Sequence, residues 1–332
     1  MKKKMKIIGI GNALVDVLVR LKDDSILEEL NLERGGMSLV DDVKHALITP
    51  LLESLHPSMS TGGSAGNTVL ALANLHIQPG FIGMIGQDTM GQYFAENCKK
   101  VGIDATLLHG KGATGVANTF ISEDSERTFA THLGAAASMQ AEDVRPEWFE
   151  GYDLLYIEGY LVQNHELIER IVQVAKQAGL LISIDLASYN VVRENLGFMR
   201  RLVKEYVDIV FANEEESAAF TGGMEAEDAL QEIAEMADIA VVKLGSKGSS
   251  AMQHGKKTVT STESVSVVDT TAAGDFFAGG FLYAYSQGAS MEACLRCGTL
   301  LASHVIQVIG TQLDEPTWEV IRKAATEIVA KA

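Results

Sequence analysis

Short apolar runs rich in strand-forming residues, at 6–10, 80–85, 152–157, 180–185, 207–212 and 239–244, alternate with longer stretches of helical period. That rhythm restricts the fold more than any other feature. Runs of five or six residues that are apolar on both faces need cover on both faces. The stretches between them, 65–75, 91–101, 164–178, 192–206 and 226–237, supply that cover as helices. Strand–helix repetition of this kind predicts an α/β fold, with a mostly parallel sheet layered between helices. Ligands on such a sheet collect beyond the carboxyl ends of its strands, so polar residues there are weighed first.

Two segments do not keep the rhythm. Residues 15–20 alternate, and 35–40 can follow as a second short strand. Residues 105–133 read as antiparallel strands, 115–122 and 127–133, joined by a polar turn at 123–126. Strands with no crossover helix cannot join a parallel sheet. They predict a small β appendage formed by about 15–40 and 105–133, on a single domain spanning 1–332. Such a sheet serves as a lid, as a dimerisation surface, or as both.

Charge and cysteine content narrow the function classes. Lys and Arg number 27 against 44 Asp and Glu, a formal charge of −17, which argues against nucleic acid or an anionic membrane as partner. No apolar stretch approaches the ~20 residues of a membrane-spanning helix. The basic start at 1–6 leads into an apolar run too short for a signal peptide. Three cysteines in 332 residues give no disulfide framework, so a reducing cytoplasm is expected. Cys294 and Cys297 form an isolated C-x-x-C inside a helical pattern, where packing is favoured over metal or redox work.

The strongest local signal is Asp269-Thr270-Thr271-Ala272-Ala273-Gly274-Asp275, which leads into a helix with Phe277, Phe281, Leu282 and Tyr285 on its apolar face. A helix start offers unpaired N–H groups at the positive end of a dipole, and small side chains let an anion approach them. Asp275 sets a carboxylate at the lip of that nest. Phosphoryl transfer to an alcohol uses this pair, donors for the γ-phosphate and an acceptor for the hydroxyl proton.

The run 269–275 resembles the D-T-x-G-A-G-D signature of the PfkB, or ribokinase-like, carbohydrate kinases. Other landmarks similar to the family's follow in order over essentially the whole chain. They are the Gly9–Asp16 stretch, Gly62-Gly63-Ser64-Ala65-Gly66-Asn67, the stretch 85–91, Asn213 with Glu216 as N-x-x-E, and Val242-Lys243-Leu244-Gly245 with Gly248. The resemblance implies a ribokinase-like α/β/α core with a β lid, and Mg²⁺·ATP-dependent phosphorylation of a small alcohol. It implies Asp275 as the base and the backbone N–H groups of Ala272, Ala273 and Gly274 as the anion hole. Relatives usually carry Gly where Ala272 stands. If that backbone has positive φ, Ala costs roughly 1 kcal/mol or more, and otherwise little.

The remaining positions have physical readings beside the resemblance. Gly9 and Gly11 do not open a dinucleotide fingerprint, because Leu14 breaks it. Asn12 and Asp16, placed at a strand end, can bracket a vicinal diol such as that of ribose. Gly62 and Gly63 let a substrate ring lie against the backbone, with Asn67 reaching it from the next helix. The resemblance assigns Asn213 and Glu216 to the ATP phosphates and Mg²⁺, while the adjacent Glu214 and Glu215 read as a solvated helix start. Gly245 and Gly248 are expected on the adenine side with Thr299 nearby, and Lys243 stands where relatives often have Ser or Thr. Asp269 is a place for a monovalent cation, as in some relatives. Glu158 reads equally as a ligand to substrate or Mg²⁺ and as a paired carboxylate; Arg127 reads as a phosphate contact or a surface residue.

The stretch from Gly11 to Asp16 and the lid look closest to the adenosine kinase-like branch, which implies a nucleoside 5′-hydroxyl as acceptor. Met37, Phe120 and Phe129 could clamp a base or simply pack the lid. A free sugar (ribose, fructose or 2-keto-3-deoxygluconate) is the alternative acceptor, and a non-catalytic nucleotide or sugar sensor is the reading from another class. Monomer and homodimer both remain open.

Overall fold

The computed structural model describes residues 4–124 and 126–331, so Ser125 of the expected turn and the basic residues 1–3 lie outside the described residues. In chain order the first strands are β1 (Ile7–Ile10), β2 (Leu14–Arg20), β3 (Met37–Leu39), β4 (Ser58–Gly62), β5 (Gly80–Ile85), β6 (Asp104–His109) and β7 (Gly115–Ile121). There follow β8 (Arg127–His132), β9 (Leu154–Glu158), β10 (Leu181–Asp185), β11 (Ile209–Asn213), β12 (Ile239–Lys243), β13 (Ser249–Gln253) and β14 (Lys256–Thr260). The helices are α1 (Ser25–Glu29), α2 (Asp42–Ser54), α3 (Ser64–Asn74), α4 (Thr89–Val101), α5 (His165–Gln177) and α6 (Tyr189–Tyr206). They continue with α7 (Glu214–Thr221), α8 (Ala226–Ala234), α9 (Ala273–Ser286), α10 (Met291–Val305) and α11 (Glu315–Ala330).

The large sheet runs β14-β13-β12-β11-β10-β9-β1-β5-β6, parallel from β12 to β6 and antiparallel at β13 and β14. Each of the six expected core strands lies in it. Successive side chains of β1 go to opposite layers. Ile7 joins the core of α3, α4, α9, α10 and α11, whereas Ile8 and Ile10 join that of α5, α6, α7 and α8. The expected α/β/α layering is thus the observed one.

The second sheet runs β3-β8-β7-β2-β4. It departs from expectation in three ways. Residues 104–109 do not belong to it. They form β6, parallel to β5 from Gly80 opposite Asp104 to Ile85 opposite His109. α4 is the crossover that makes this pairing possible. A polar strand, β4, closes the other edge against β2. The sheet is also mixed, because β2 lies parallel to β7 and β3 parallel to β8. Asp16 is inside β2, opposite Ser60 and Ala117, rather than at a strand end.

α9 packs between α3 and α10, and a Cβ at Gly280 would come within 2.3 Å of the Cys297 carbonyl oxygen. Cys294 and Cys297 are buried in α10, where they pack. Among the described residues no group of three or more His, Cys, Asp or Glu side chains is arranged for a metal ion, and no helix is long and apolar enough to cross a membrane.

Candidate active site

Four neighbouring strands end in polar residues at one edge of the large sheet: Glu158 on β9, Asp185 on β10, Asn213 on β11 and Lys243 on β12. Between this edge and the small sheet lies a cavity of about 680 Å³, whose wall includes Asp16, Asn67, Asp185, Glu216, Lys243 and Asp275.

α9 begins on this wall. Its N-cap, Ala272, has φ 58°, and no side chain caps the helix. Ala272, expected in the anion hole, therefore stands in the left-handed region that favours Gly, the more costly of the two conformations expected. Among the described residues no acceptor is found for the amides of Ala272, Gly274 and Asp275. The Ala273 amide already donates to the Thr270 carbonyl at 3.2 Å. Asp275 in the first turn is held by α3: Ser64 Oγ donates to Oδ1 at 2.7 Å, and Asn67 Nδ2 to Oδ2 at 2.9 Å. Burial pushes the Asp275 carboxyl up to about 6, against the pull of these two donors. It can therefore take a proton near neutrality, as a base must.

Asp16 faces Asp275 from the small sheet. Burial, with the Asp275 charge added, raises it to about 7. Gly62 makes room for it, since a Cβ there would meet Asp16 Oδ1 at 2.1 Å. Gly63 has φ 83°, and a Cβ on it would strike the Asn12 carbonyl oxygen. Asn12 is not on the wall of this cavity but lines a chamber that adjoins it. Its amide N–H (2.9 Å) and its Nδ2 both donate to Glu158 Oε1, while the Ala65 amide donates to Oε2 at 3.0 Å. Glu158 is thus a paired carboxylate that also lines the adjoining chamber, and burial lifts it to about 7.

Asn213 and Glu216 close on each other as a capping box. Asn213 Oδ1 accepts the Glu216 amide at 2.8 Å, and the Glu216 carboxylate accepts from both nitrogens of Asn213, also at 2.8 Å. Burial raises Glu216 to about 7 despite nearby Lys243. Lys243 donates to Asp185 Oδ2 at 2.6 Å, and its Nζ lies 3.0 Å from where a Cβ on Gly274 would be. Burial opposes its charge, but Asp185 and Glu216 outweigh it and hold its pKa above the ordinary lysine value. Arg127 is a cavity residue, only 11% exposed. It pairs with Asp269 and donates to Thr271 Oγ1 at 2.8 Å, tying β8 to the loop before α9.

A second chamber of about 510 Å³ shares Leu14, Gly63, Ser64 and Tyr160 with the first. Its wall is mixed: aliphatic side chains such as Met37, Leu39, Leu133 and Met139 alternate with polar ones such as Asn12, Glu158, Gln163 and Asn164. Of the three clamp residues expected, Met37 lies here, Phe129 lines the first cavity, and Phe120 is buried in the core.

The structure thus brings Asp16, Gly63, Asn67, Asn213, Glu216, Lys243, Gly245, Ala272, Ala273, Gly274 and Asp275 onto one wall. Gly62, Gly248 and Thr299 lie off it. Gly248 has φ 97° and turns the chain where a Cβ would be 2.0 Å from the Thr260 carbonyl oxygen; Thr299 sits within α10. Sequence reading gave no role to Ser64 and Thr271 within their motifs, nor to Tyr160 and Asp185. The last could have been found as the polar end of the run 180–185.

Comparison with known proteins agrees with this geometry. Residues 40–318 match the family described as pfkB family carbohydrate kinase. Two solved structures, a probable sugar kinase from Rhizobium etli CFN 42 and an adenosine kinase from Sinorhizobium meliloti, each superpose with a TM-score of 0.86 at 31% identity, over 97% of this chain and 99% of theirs. The 5-dehydro-2-deoxygluconokinase of Bacillus subtilis is 27% identical over 289 residues, 82% of this chain and 89% of that protein.

Proposed function

Since the chain belongs to the pfkB family of carbohydrate kinases, and is an ATP-dependent sugar or nucleoside kinase, we propose that its acceptor is the 5′-hydroxyl of a nucleoside, adenosine first. One observation carries this reading: the second chamber, part aliphatic and part polar, that continues the cavity past Gly63 and Ser64. With the ribose diol on Asp16, a base has a room of its own, with aliphatic surface for its faces and polar groups for its edge, which a free sugar would leave empty. The adenosine kinase at 31% identity supports the same acceptor.

In this reading Asp275 accepts the proton of the hydroxymethyl group as that oxygen attacks the γ-phosphorus in line. Asn67 and Ser64 aim its carboxylate. The free amides of Ala272 and Gly274 meet the charge that grows on the phosphoryl oxygens. Lys243 and Arg127 add positive charge to the same wall. Glu216, Asp185 and Asn213 offer only oxygen donors toward Mg²⁺, which fits a hard cation that arrives on ATP. When bound, it neutralises phosphate charge. The small sheet, anchored by Arg127, excludes water. A monovalent cation at Asp269 would share a carboxylate that already accepts the amides of Thr271 (2.8 Å) and Gly310 (2.6 Å); turnover without potassium tests it.

The Bacillus subtilis relative favours a second reading, a free-sugar acceptor. ADP release with Mg²⁺·ATP across nucleosides and free sugars decides. Turnover on adenosine supports the first reading, whereas turnover confined to sugars replaces it with the second.

A further inference from the structure

β12 ends in Lys243, and strand alternation decides which layer that side chain enters. Val241, two residues earlier, shares a core with Phe281 of α9, whereas Val242 joins the opposite core. Lys243 therefore rises on the α9 side of the sheet. Its Nζ lies 3.0 Å from the place that a Cβ on Gly274 would take, so the ammonium rests against the first turn of α9.

Among the described residues Arg127 and Lys243 are the cations on the cavity wall, and they stand among the carboxylates of Asp16, Asp185, Glu216 and Asp275. Arg127 is committed elsewhere, since its Nη1 meets both Asp269 and Thr271 Oγ1. Lys243 is not. An ammonium can donate three hydrogen bonds. Among the described residues Nζ has a single acceptor, Asp185 Oδ2 at 2.6 Å. Asp185 Oδ1 accepts the Ala187 amide at 3.0 Å, so the carboxylate that holds the lysine is itself fixed. The remaining N–H groups of Lys243 lie beside Gly274, whose amide also lacks an acceptor. Unspent donors from β12 and α9 thus converge on one point of an otherwise acidic wall. Such a wall repels a triphosphate unless positive charge waits where the phosphate must sit. A compact ammonium on a flexible stem meets an oxygen there without the fixed fork of an arginine.

We propose that Lys243 is a catalytic residue: its ammonium, held by Asp185, donates to the γ-phosphoryl oxygens of ATP beside the amides of Ala272 and Gly274. The inference rests on phosphoryl transfer at the start of α9, and it is independent of which alcohol accepts the group. A donor fixed beside the phosphoryl group shares charge that the amides would otherwise bear alone.

The test compares two nucleotides that differ by the γ-phosphate, ADP and the non-hydrolysable β,γ-imido analogue of ATP. Each is titrated calorimetrically into the wild type, Lys243→Met and the double variant Asp185→Asn/Lys243→Met, in EDTA at low salt, so that the chain's own donors are read without a metal. Lys243→Met should weaken the ATP analogue ~10-fold or more and ADP less than ~3-fold. With Mg²⁺·ATP and adenosine, kcat should fall ~10²–10³-fold, as for loss of one anion-hole donor. Lys243→Met also leaves Asp185 buried without its cation; the double variant removes that unpaired charge and should keep the same selective loss. Equal weakening of both nucleotides, or a selectivity restored in the double variant, makes Lys243 merely the counter-ion of Asp185 and overturns the proposal. Unchanged affinity for both nucleotides overturns it as well. A selective loss of the ATP analogue in a protein that does not turn over adenosine removes the acceptor reading and leaves the role of Lys243 standing.

Discussion

α7 and α9 both begin on the wall of one cavity, but α7 closes its first turn on itself and α9 leaves its own open. At α7, Asn213 and Glu216 satisfy each other's backbone and side chains. At α9 the N-cap is an alanine with φ 58°, which has no side-chain acceptor to offer and whose backbone is strained. A closed start stabilises the fold with nothing bound. An open start holds donors in reserve at a cost in stability, and the cost makes sense only if an anion arrives to use them. The two starts therefore separate stability from chemistry on the wall of one cavity.

The largest effect expected from that separation is at α9. Asp275→Asn should lower kcat by ~10²–10⁴ and leave the fold intact, because it removes the proton acceptor while keeping a similar shape. ADP release and thermal unfolding on the same sample check it. Near wild-type turnover would make the open start an accident of packing.

A change of pH should pull the two properties apart. Burial lifts Asp275 to about 6 and Asp16, Glu158 and Glu216 to about 7. Their folded values exceed the unfolded ones, near 4, so the folded chain holds protons that the unfolded chain has released. That support is complete below about 4 and is lost as pH rises through about 7. In the proposed mechanism activity runs the opposite way, since there Asp275 must be ionised to accept a proton. Acidifying the free protein from pH 8 to 6 should raise its Tm while turnover falls, approaching tenfold per unit below the limb. A Tm and a kcat/KM that fell together would break the opposition.

How much of this was legible in the chain depends on distance along it. The core strands and α9 were readable, because burial on both faces and a small-residue helix start are local signals. β4 was not: Ser58–Gly62 is polar and becomes a strand only through pairing with β2. β6 is a half-exposed edge strand, so its composition did not tell the large sheet from the small one. Within the site, Asp275 was marked by its own neighbours. The closure of Glu158 on Asn12 spans 146 residues, and that of Lys243 on Asp185 spans 58; no spacing rule reaches so far. The N-x-x-E of α7 shows the converse limit. Its spacing is that of a capping box as much as of a phosphate site, and only coordinates display the closed pair.

Breaking that closed pair should cost stability before it costs chemistry. Asn213→Ala removes a cap and leaves the buried Glu216 carboxylate without its Nδ2 donor, at a cost of about 0.5–2 kcal/mol. Denaturant unfolding of the free protein measures it, and the KM for ATP, measured alongside, should rise if Asn213 also meets the phosphates. No loss of stability would mean that the box is not what holds α7.

The smallest effect is the most pointed test of the open start. Ala272→Gly removes the left-handed strain of roughly 1–2 kcal/mol. The added freedom of Gly in the unfolded chain takes back about 0.4–1 kcal/mol. The net is a gain of about 0 to 1.6 kcal/mol, visible as a rise in the denaturation midpoint at unchanged slope. Every amide of the anion hole stays in place, so turnover should change little, either slightly faster if strain misaligns the donors or slightly slower if Ala272 stiffens them. A destabilised Ala272→Gly would show that the left-handed alanine is held by its surroundings without strain, and α9 would then differ from α7 only in lacking a cap.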